Sequence, residues 1–394
     1  MRIFAGLVAA FALAGCAVVP EARPPDDVGI VDAPDAVPAI SAATASLAAG
    51  PPIETLPFVA YDAGPALTAF RRSCDKILFR DDTSGLTRRV DWQGPCSAAA
   101  NWSGDPGDFF RSQFETVVVA GGDAFATGYY EPELLGSRTR SAQHTVPVYA
   151  MPADLVRGWP ADMPEAERTG RAPLGRYDET GAFVRYYERS QIVDGALDGK
   201  VPVIAWAADP IDFFFLQIQG SGLLRLPDGD VMRIGYAGQN GREYLAIGRS
   251  MREMGLIGDG TAYPTSMQGI KAWLRDNPDR AEEIMSLNKS WIFFRTLETE
   301  GPLGSLEVPV FARDSVAVDP KFVPYGAPVW LDMEADVANG LWIAQDTGGA
   351  IKGANRFDTF WGNGGDAAEI AGAMSSSGRA YILLPKGTLA RLKQ

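Results

Sequence analysis

Ser315-Val316-Ala317-Val318, Pro328-Val329-Trp330-Leu331 and Leu341-Trp342-Ile343-Ala344 follow one another within a single short stretch, the last running on into Gln345-Asp346-Thr347-Gly348-Gly349. Each run is four residues long, rich in Val, Ile and Trp, and stopped by Asp, Pro or Gly, which is the signature of a short strand. Val308 to Phe311 and Ala380 to Leu384 read the same way, giving five such runs in the last ~90 residues. Strands this short and this closely spaced predict a small barrel or sandwich and exclude a parallel α/β sheet.

Working outward, Pro65 to Arg80 places Leu67, Phe70, Cys74, Ile77 and Leu78 at helical spacing, and Gly107 to Val119 reads as a second amphipathic stretch. The pattern then turns to strands at 127–132 and 146–149. Phe213 to Gln219 is an apolar run that becomes alternating before Gly220, and it is read among the strands. Asp228-Gly229 marks a hairpin turn. Helical patterns return over Tyr244 to Met254 and Ser266 to Leu287, and Asn288 to Arg295 leads back to β-rich sequence. No internal repeat is visible. Gly362-Asn363-Gly364-Gly365 lacks the lysine and hydroxyl of a phosphate loop.

The 394 residues suit two or three domains. Apolar residues make up 46% and charged residues 22%, which excludes wholesale disorder. Forty-nine acidic against 36 basic residues leave a formal charge of −13, which argues against nucleic acid as a partner. One histidine, His144, and three cysteines remove most metal-ligand clusters and leave a Ser-His-Asp triad only His144 to rest on. No metal or cofactor is expected, and carboxylates are the candidate agents of any chemistry.

The N-terminus carries an address. Met1-Arg2 is followed by an apolar run from Ile3 to Ala14, too short to span a bilayer, ending in Leu13-Ala14-Gly15-Cys16. This resembles a bacterial lipoprotein signal over residues 1–16, which implies that Cys16 becomes the lipidated N-terminus and that Ala17 permits passage to the outer membrane. Several acyl chains would anchor the protein there on the periplasmic face. Residues 17–57, with eight prolines, ten alanines and a net charge of −5, read as an extended tether. Cys74 and Cys96 lie 22 residues apart in an oxidising compartment, where a disulfide is the favoured state.

Asp346 is the leading chemical candidate. The strand before it delivers its carboxylate at a C-terminal edge, and Gly348-Gly349 permits close backbone approach by a ligand. A wall including Trp342 and Phe360 would raise its pKa by desolvation, as a general acid at neutral pH requires. The competing structural role is an Asp that caps a tight turn. Asp-Thr-Gly also suggests aspartic peptidases, but these need two facing carboxylates, and Asp314-Ser315-Val316 does not supply the second motif.

Thr127-Gly128-Tyr129-Tyr130-Glu131-Pro132, Leu216-Gln217-Ile218-Gln219-Gly220-Ser221-Gly222, Gly235-Tyr236-Ala237-Gly238-Gln239-Asn240-Gly241, Asn288 to Arg295 and Gly301-Pro302-Leu303-Gly304 occur in that order. Together with Asp319-Pro320, Asp346 and Asp358, this series resembles the membrane-bound lytic murein transglycosylase A family with its three-aspartate module. The resemblance implies cleavage of the N-acetylmuramic acid to N-acetylglucosamine β-1,4 bond of peptidoglycan without water, leaving a 1,6-anhydro end. It implies a mainly β protein with accessory helices: a double-psi β-barrel over 58–133 and 243–394, its three-aspartate module at about 308–386. A smaller β-domain over 134–242 is inserted in it, with glycan in the groove between.

Carried onto this chain, Asp346 is the catalytic acid and base, with Asp319 and Asp358 in supporting, orienting roles. Tyr129, Tyr130, Gln217, Gln219, Ser221, Tyr236 and Gln239 have the character of a sugar site, since aromatic faces cover sugar rings and amides pair with hydroxyl and acetamido groups. Lys289-Ser290-Trp291 departs from the Pro-Ser-Tyr more common in the family. Partners are glycan strands and, through the lipid, the outer membrane. Two other classes compete: a glycan-binding lipoprotein without turnover, and a hydrolytic glycosidase, which would need a second carboxylate facing Asp346.

Overall fold

The C-terminal strands do close on themselves, but only by recruiting a strand from far upstream. The computed structural model describes residues 41–394. In chain order, β1 (Leu47–Ala49) precedes α1 (Ala60–Ile77), α2 (Gln93–Asn101), α3 (Pro106–Gln113), β2 (Phe114–Val119) and β3 (Asp123–Glu131). Next come β4 (Glu133–Ser137), β5 (Val146–Tyr149), β6 (Val156–Arg157), β7 (Leu174–Tyr177), β8 (Phe183–Arg185), α4 (Arg189–Val193), β9 (Val203–Ala207), α5 (Pro210–Gln219), β10 (Ser221–Arg225) and β11 (Val231–Gln239). Helices α6 (Ile247–Glu253), α7 (Met267–Asp276) and α8 (Pro278–Ser286) lead to β12 (Ile292–Leu297). The chain ends with β13 (Ser315–Val318), β14 (Pro328–Met333), β15 (Gly340–Asp346), β16 (Arg356–Asn363), α9 (Gly364–Ala373), β17 (Ser375–Pro385) and α10 (Thr388–Leu392). Helix and strand contribute 30% and 28%, so helices weigh as much as strands in a chain expected to be mainly β.

Strands β3, β16, β13, β15, β14 and β17 pair in that order, and β17 pairs back to β3, closing a six-stranded ring. Closure removes the exposed edges that such short strands would otherwise present. Val316, Val318, Val329, Leu331, Leu341 and Ile343 are buried in its core. Helix α1 packs Phe70 into the same core, and Cys74 on α1 is joined to Cys96 on α2 by a disulfide with Cα atoms 5.6 Å apart. The run expected at Val308–Phe311 forms only an isolated bridge between Leu303 and Pro309, because Pro309 has no N–H to continue a ladder.

A second sheet has the order β12-β11-β10-β4-β9-β5, with a separate three-stranded sheet β6-β7-β8 beside it. The Asp228-Gly229 turn joins β10 to β11, Gly229 at φ 91°. Its core gathers Phe213, Phe293, Phe294, Tyr149 and Tyr186, while α5 to α8 share a third cluster around Phe214, Met251, Trp273 and Ile284. The return to the barrel expected at 243 is therefore late: β12 pairs with β11 across six rungs, so the second sheet needs residues up to 297. At the junction, the Glu131 carboxylate, 1% exposed, accepts Arg233 Nε and Nη2 at 2.9 and 3.3 Å.

Two stretches differ from their sequence reading for local reasons. Phe213 to Gln219 is helical, not extended: Asp209 caps the N–H groups of Ile211 and Asp212, Pro210 takes the first helical position, and Gly220 at φ 82° ends the helix. The helix read at Gly107 to Val119 stops at Gln113, and the β-branched run up to Val119 continues as strand β2.

The tether ends earlier than expected. Ala42, Ile53 and Leu56 are buried, and β1 adds to the barrel sheet by pairing Leu47 with Val119. Small side chains let this Pro/Ala-rich segment lie flat against the sheet edge. The signal segment, Cys16 and the tether up to residue 40 lie outside the described residues.

Candidate active site

A cavity of about 1070 Å³ is lined on one side by Thr127, Tyr129, Asp346 and Asp358 from the barrel, and on the other by Gln219, Ser221, Tyr236 and Gln239 from the second sheet. Barrel register explains why two aspartates meet there. Ala317 on β13 pairs with Asp346 of β15 on one side and with Asp358 of β16 on the other, and Asp358 pairs in turn with Thr127 of β3. One rung thus carries four strands, with the two aspartate backbones two strand spacings, or about 10 Å, apart.

The two oxygens of Asp346 are unequally occupied. Oδ1 accepts the Ser305 N–H at 2.9 Å, the Ser305 hydroxyl at 2.8 Å and the Thr347 N–H at 2.8 Å. Among the described residues, Oδ2 accepts only the Tyr129 hydroxyl, at 3.0 Å. Burial pushes the Asp346 carboxyl above the ordinary carboxylate range, and these four donors pull against that push. The Tyr129 ring rests on Phe360 at 4.9 Å between centroids, and burial beside Asp346 drives its phenol far upward, so it stays a neutral donor.

Asp358 is pushed up to about 6, first by burial and further by the charge of Asp346, against the opposing pull of Arg356 and Thr127. The Thr127 hydroxyl donates to Asp358 Oδ1 at 2.6 Å and accepts Arg356 Nη2 at 2.9 Å. The cavity therefore holds two carboxyls with elevated proton affinity, one saturated on one oxygen, the other served by a single hydroxyl.

Asp319 is not on the cavity wall. It is 5% exposed, and its oxygens accept the N–H groups of Lys321 at 3.0 Å and Gly353 at 2.8 Å. It pins the far end of the loop that starts at Thr347.

The remaining predicted residues divide. Tyr129, Gln217, Gln219, Ser221, Tyr236 and Gln239 line the cavity. Tyr130 does not: at 7% exposed it belongs to the barrel core, because alternation along β3 turns it away from its neighbour. Gln217 is 3% exposed and its amide is engaged by protein, accepting Arg189 Nη1 at 2.6 Å. Gln219 Oε1 accepts the Tyr130 N–H at 3.1 Å. Trp342, expected in the wall, packs in the core against Trp361, so Tyr129 over Phe360 forms the wall in its place. His144 bonds to Ser141 in a loop.

Sequence reading missed Ser305, one residue beyond a quoted motif, and Arg189. The latter is 4% exposed with no carboxylate partner among the described residues: its guanidinium donates to Gln217 and to the carbonyls of Asn288 and Ser290, and lies over Phe214 and Trp291. At the departing Lys289-Ser290-Trp291, Ser290 lines the cavity, Trp291 is buried and Lys289 pairs with Glu188 at 3.1 Å.

The chain as a whole is similar to known proteins. The MltA specific insert domain matches residues 125–295, and the 3D domain matches 314–384. The crystal structure of MltA from Neisseria gonorrhoeae is 36% identical and superposes with a TM-score of 0.73, covering 87% of this chain and 95% of that one. The chain belongs to the membrane-bound lytic murein transglycosylase A family. The MltA family relative from Vibrio cholerae is 28% identical over 296 residues, 71% of this chain and 72% of its own. Escherichia coli MltA, crystallised with bound chitohexaose, is 24% identical, shares the fold at a TM-score of 0.63, and covers 86% of this chain and 94% of its own. With membership in the MltA family comes the enzyme class, a lyase acting on peptidoglycan.

Proposed function

We propose that the protein cleaves the β-1,4 bond between N-acetylmuramic acid and N-acetylglucosamine in glycan strands lying in the cavity, and leaves a 1,6-anhydro-muramic end. The observation that carries this is the asymmetry of Asp346. With Oδ1 held by three donors, Oδ2 is the oxygen open to carry a proton, and among the described residues the Tyr129 hydroxyl is its one hydrogen-bond partner. Substrate displaces water from the cavity, which favours the protonated carboxyl. Asp346 Oδ2 then gives its proton to the glycosidic oxygen as the bond to C1 breaks. The muramic C6 hydroxyl attacks C1, and its proton passes to the carboxylate, which is restored to the acid. An intramolecular nucleophile at high effective concentration removes the need for a second catalytic carboxylate.

The supporting assignments follow the same reading. Asp319 holds the loop, and Asp358 orients and polarises the rung. Tyr129, Gln219, Ser221, Tyr236 and Gln239 contact sugar. The six-stranded ring is the double-psi barrel of the family, and the inserted sheet is the opposing wall of the groove. Cys16 carries the lipid that fixes the protein to the periplasmic face of the outer membrane. The chitohexaose bound by the E. coli relative supports a glycan in this cavity.

A second reading is favoured by one observation: Asp358, at about 6, holds a proton more readily than an ordinary carboxyl. In that reading Asp358 is the acid, Asp346 the second carboxylate, and water the nucleophile. Mass spectrometry of fragments released from murein by the full-length protein in detergent separates the two. Fragments lighter than the hydrolytic product by one water, lost in Asp346→Asn and retained in Asp358→Asn, support the lytic reaction. Fragments with ordinary reducing ends overturn it. Absence of any fragment from folded, glycan-binding protein would leave a binding lipoprotein.

A further inference from the structure

We infer that the second unit carries a carboxylate-binding rim beside the cavity, in two parts, Arg157 with Arg171 and Arg185 with Arg242, which grips the peptide stems projecting from a glycan strand. This rests on the glycan reading above and adds to it a second class of contact. The chain as a whole is acidic at −13, yet here Arg157 lies within reach of the charge of Arg171, and Arg242 within reach of that of Arg185. Arg157, Arg171 and Arg185 are exposed, and among the described residues no carboxylate lies within 4.0 Å of any of them.

The acids close by are committed elsewhere. Asp154 accepts the Tyr186 hydroxyl at 2.8 Å, and Asp178 accepts the Thr180 hydroxyl and the Thr180 and Ala182 N–H groups of its own loop. Glu188 sits 4.0 Å from Arg242 but 3.1 Å from Lys289. Arg242 is held by donating Nε and Nη2 to the Tyr186 carbonyl at 2.8 and 2.6 Å, and Arg157 by donating Nη1 to the Ala172 carbonyl at 2.6 Å. Both side chains are thus fixed by neutral acceptors; Arg242 shares Glu188 with Lys289, and Arg157 has no carboxylate within 4.0 Å among the described residues.

Position ties the rim to the cavity. On the three-stranded sheet, Arg157 stands opposite Leu174 on one face and Arg185 opposite Gly175 on the other, so the two parts of the rim flank this sheet. Gly241, on the cavity wall, packs so closely on Leu174 that a Cβ there would lie 2.6 Å from the Leu174 Cβ. Arg242 follows it on the same wall, and Tyr236, 49% exposed on that wall, feels the charge of Arg157. The sugars of the strand are neutral, but every second one carries a lactyl-linked peptide with free carboxylates. The planar guanidinium fork matches a carboxylate in two-point contact. Phosphate head groups would attract the same charges, but continuity with the cavity wall selects the stems.

The test uses full-length protein in detergent, wild type against Arg157→Gln/Arg171→Gln and Arg185→Gln. Two substrates are compared: murein bearing its stems, and glycan strands stripped of peptide by an amidase. The double variant is expected to lose about tenfold in kcat/KM on stem-bearing murein and to keep wild-type activity on stripped strands, the size two exposed charge-assisted contacts supply. High salt should erase the wild-type advantage on stem-bearing murein. Equal loss on both substrates, or none on either, overturns the proposal. So does loss of binding to phosphatidylglycerol vesicles with the substrate preference unchanged. If wild type cleaves neither polymer, the catalytic reading has failed by itself. Pull-down on the two polymers then still decides the rim, since a loss of affinity confined to stem-bearing murein upholds it and equal affinity refutes it.

Discussion

Asp358→Asn should stabilise the protein at neutral pH, an unusual outcome for a substitution in an active site. Burial beside Asp346 lifts the Asp358 carboxyl from the ordinary 3.8 to about 6 in the folded chain. Between those two values the folded state binds more protons than the unfolded one, so stability falls as pH rises. The contribution is complete below about pH 3.8 and is lost as pH passes about 6. At about 1.4 kcal/mol per tenfold change in proton affinity, the charged side chain leaves the fold about 3 kcal/mol less stable at pH 7.5 than a neutral isostere would. For the 354 residues from Ser41 to Gln394 unfolding together, that amounts to a rise in Tm of about 4 °C. Thermal unfolding of wild type and variant at pH 7.5 and pH 4 checks it. The gain should appear at pH 7.5 and shrink towards nothing at pH 4. A variant less stable than wild type at pH 7.5, or equally stabilised at both, would refute the argument that Asp358 is charged and strained by burial at neutral pH.

Three further outcomes follow from contacts described above. Ser305→Ala removes the hydroxyl donor 2.8 Å from Asp346 Oδ1, and losing a charge-assisted bond of about 1.5–3 kcal/mol should move the alkaline limb of the kcat/KM profile up by about one pH unit or more. An unmoved limb would show that Asp346 does not govern it. Glu131→Gln leaves Arg233 buried without its counter-charge at the junction and should cost about 3–5 kcal/mol in denaturant unfolding, whereas the paired change Glu131→Gln/Arg233→Met should recover much of it. Cys74→Ser/Cys96→Ser opens a link spanning 22 residues and should lower stability by about 3 kcal/mol with activity per folded molecule unchanged, read by unfolding with and without reductant.

The C-terminal half of the barrel was legible because its strands are short, apolar and punctuated by Pro, Gly and Asp. Its closing partner, β3, was legible as a strand but not as a barrel strand, since pairing across more than two hundred residues leaves no local trace. Helix α5 was misread because a fully apolar run has no period, and only the flanking Asp209-Pro210 and Gly220 carry the answer. Within the site, Asp346 was legible from the strand and glycines around it. The unequal loading of its two oxygens was not, because Ser305 lies 41 residues away and Tyr129 217 residues away. Tyr130 was assigned to sugar by its chemistry, though strand alternation with Tyr129 allowed only one of the pair to face the cavity.

The places where the chain leaves the barrel and comes back are close neighbours. Glu131 grips Arg233, and Arg233 stands across from Leu297, the last residue of β12. A segment of well over a hundred residues therefore begins and ends at nearly one point, like a bead tied on by a single knot. Cutting it out and bridging the gap with a few residues would keep all six ring strands in the chain, with Glu131 changed to a neutral residue because Arg233 leaves with the excised piece. Both acidic side chains of the rung stay on what remains, while the arginine rim and the outward wall depart with the excised piece. Such a trimmed chain offers a way to separate bond breaking from polymer capture.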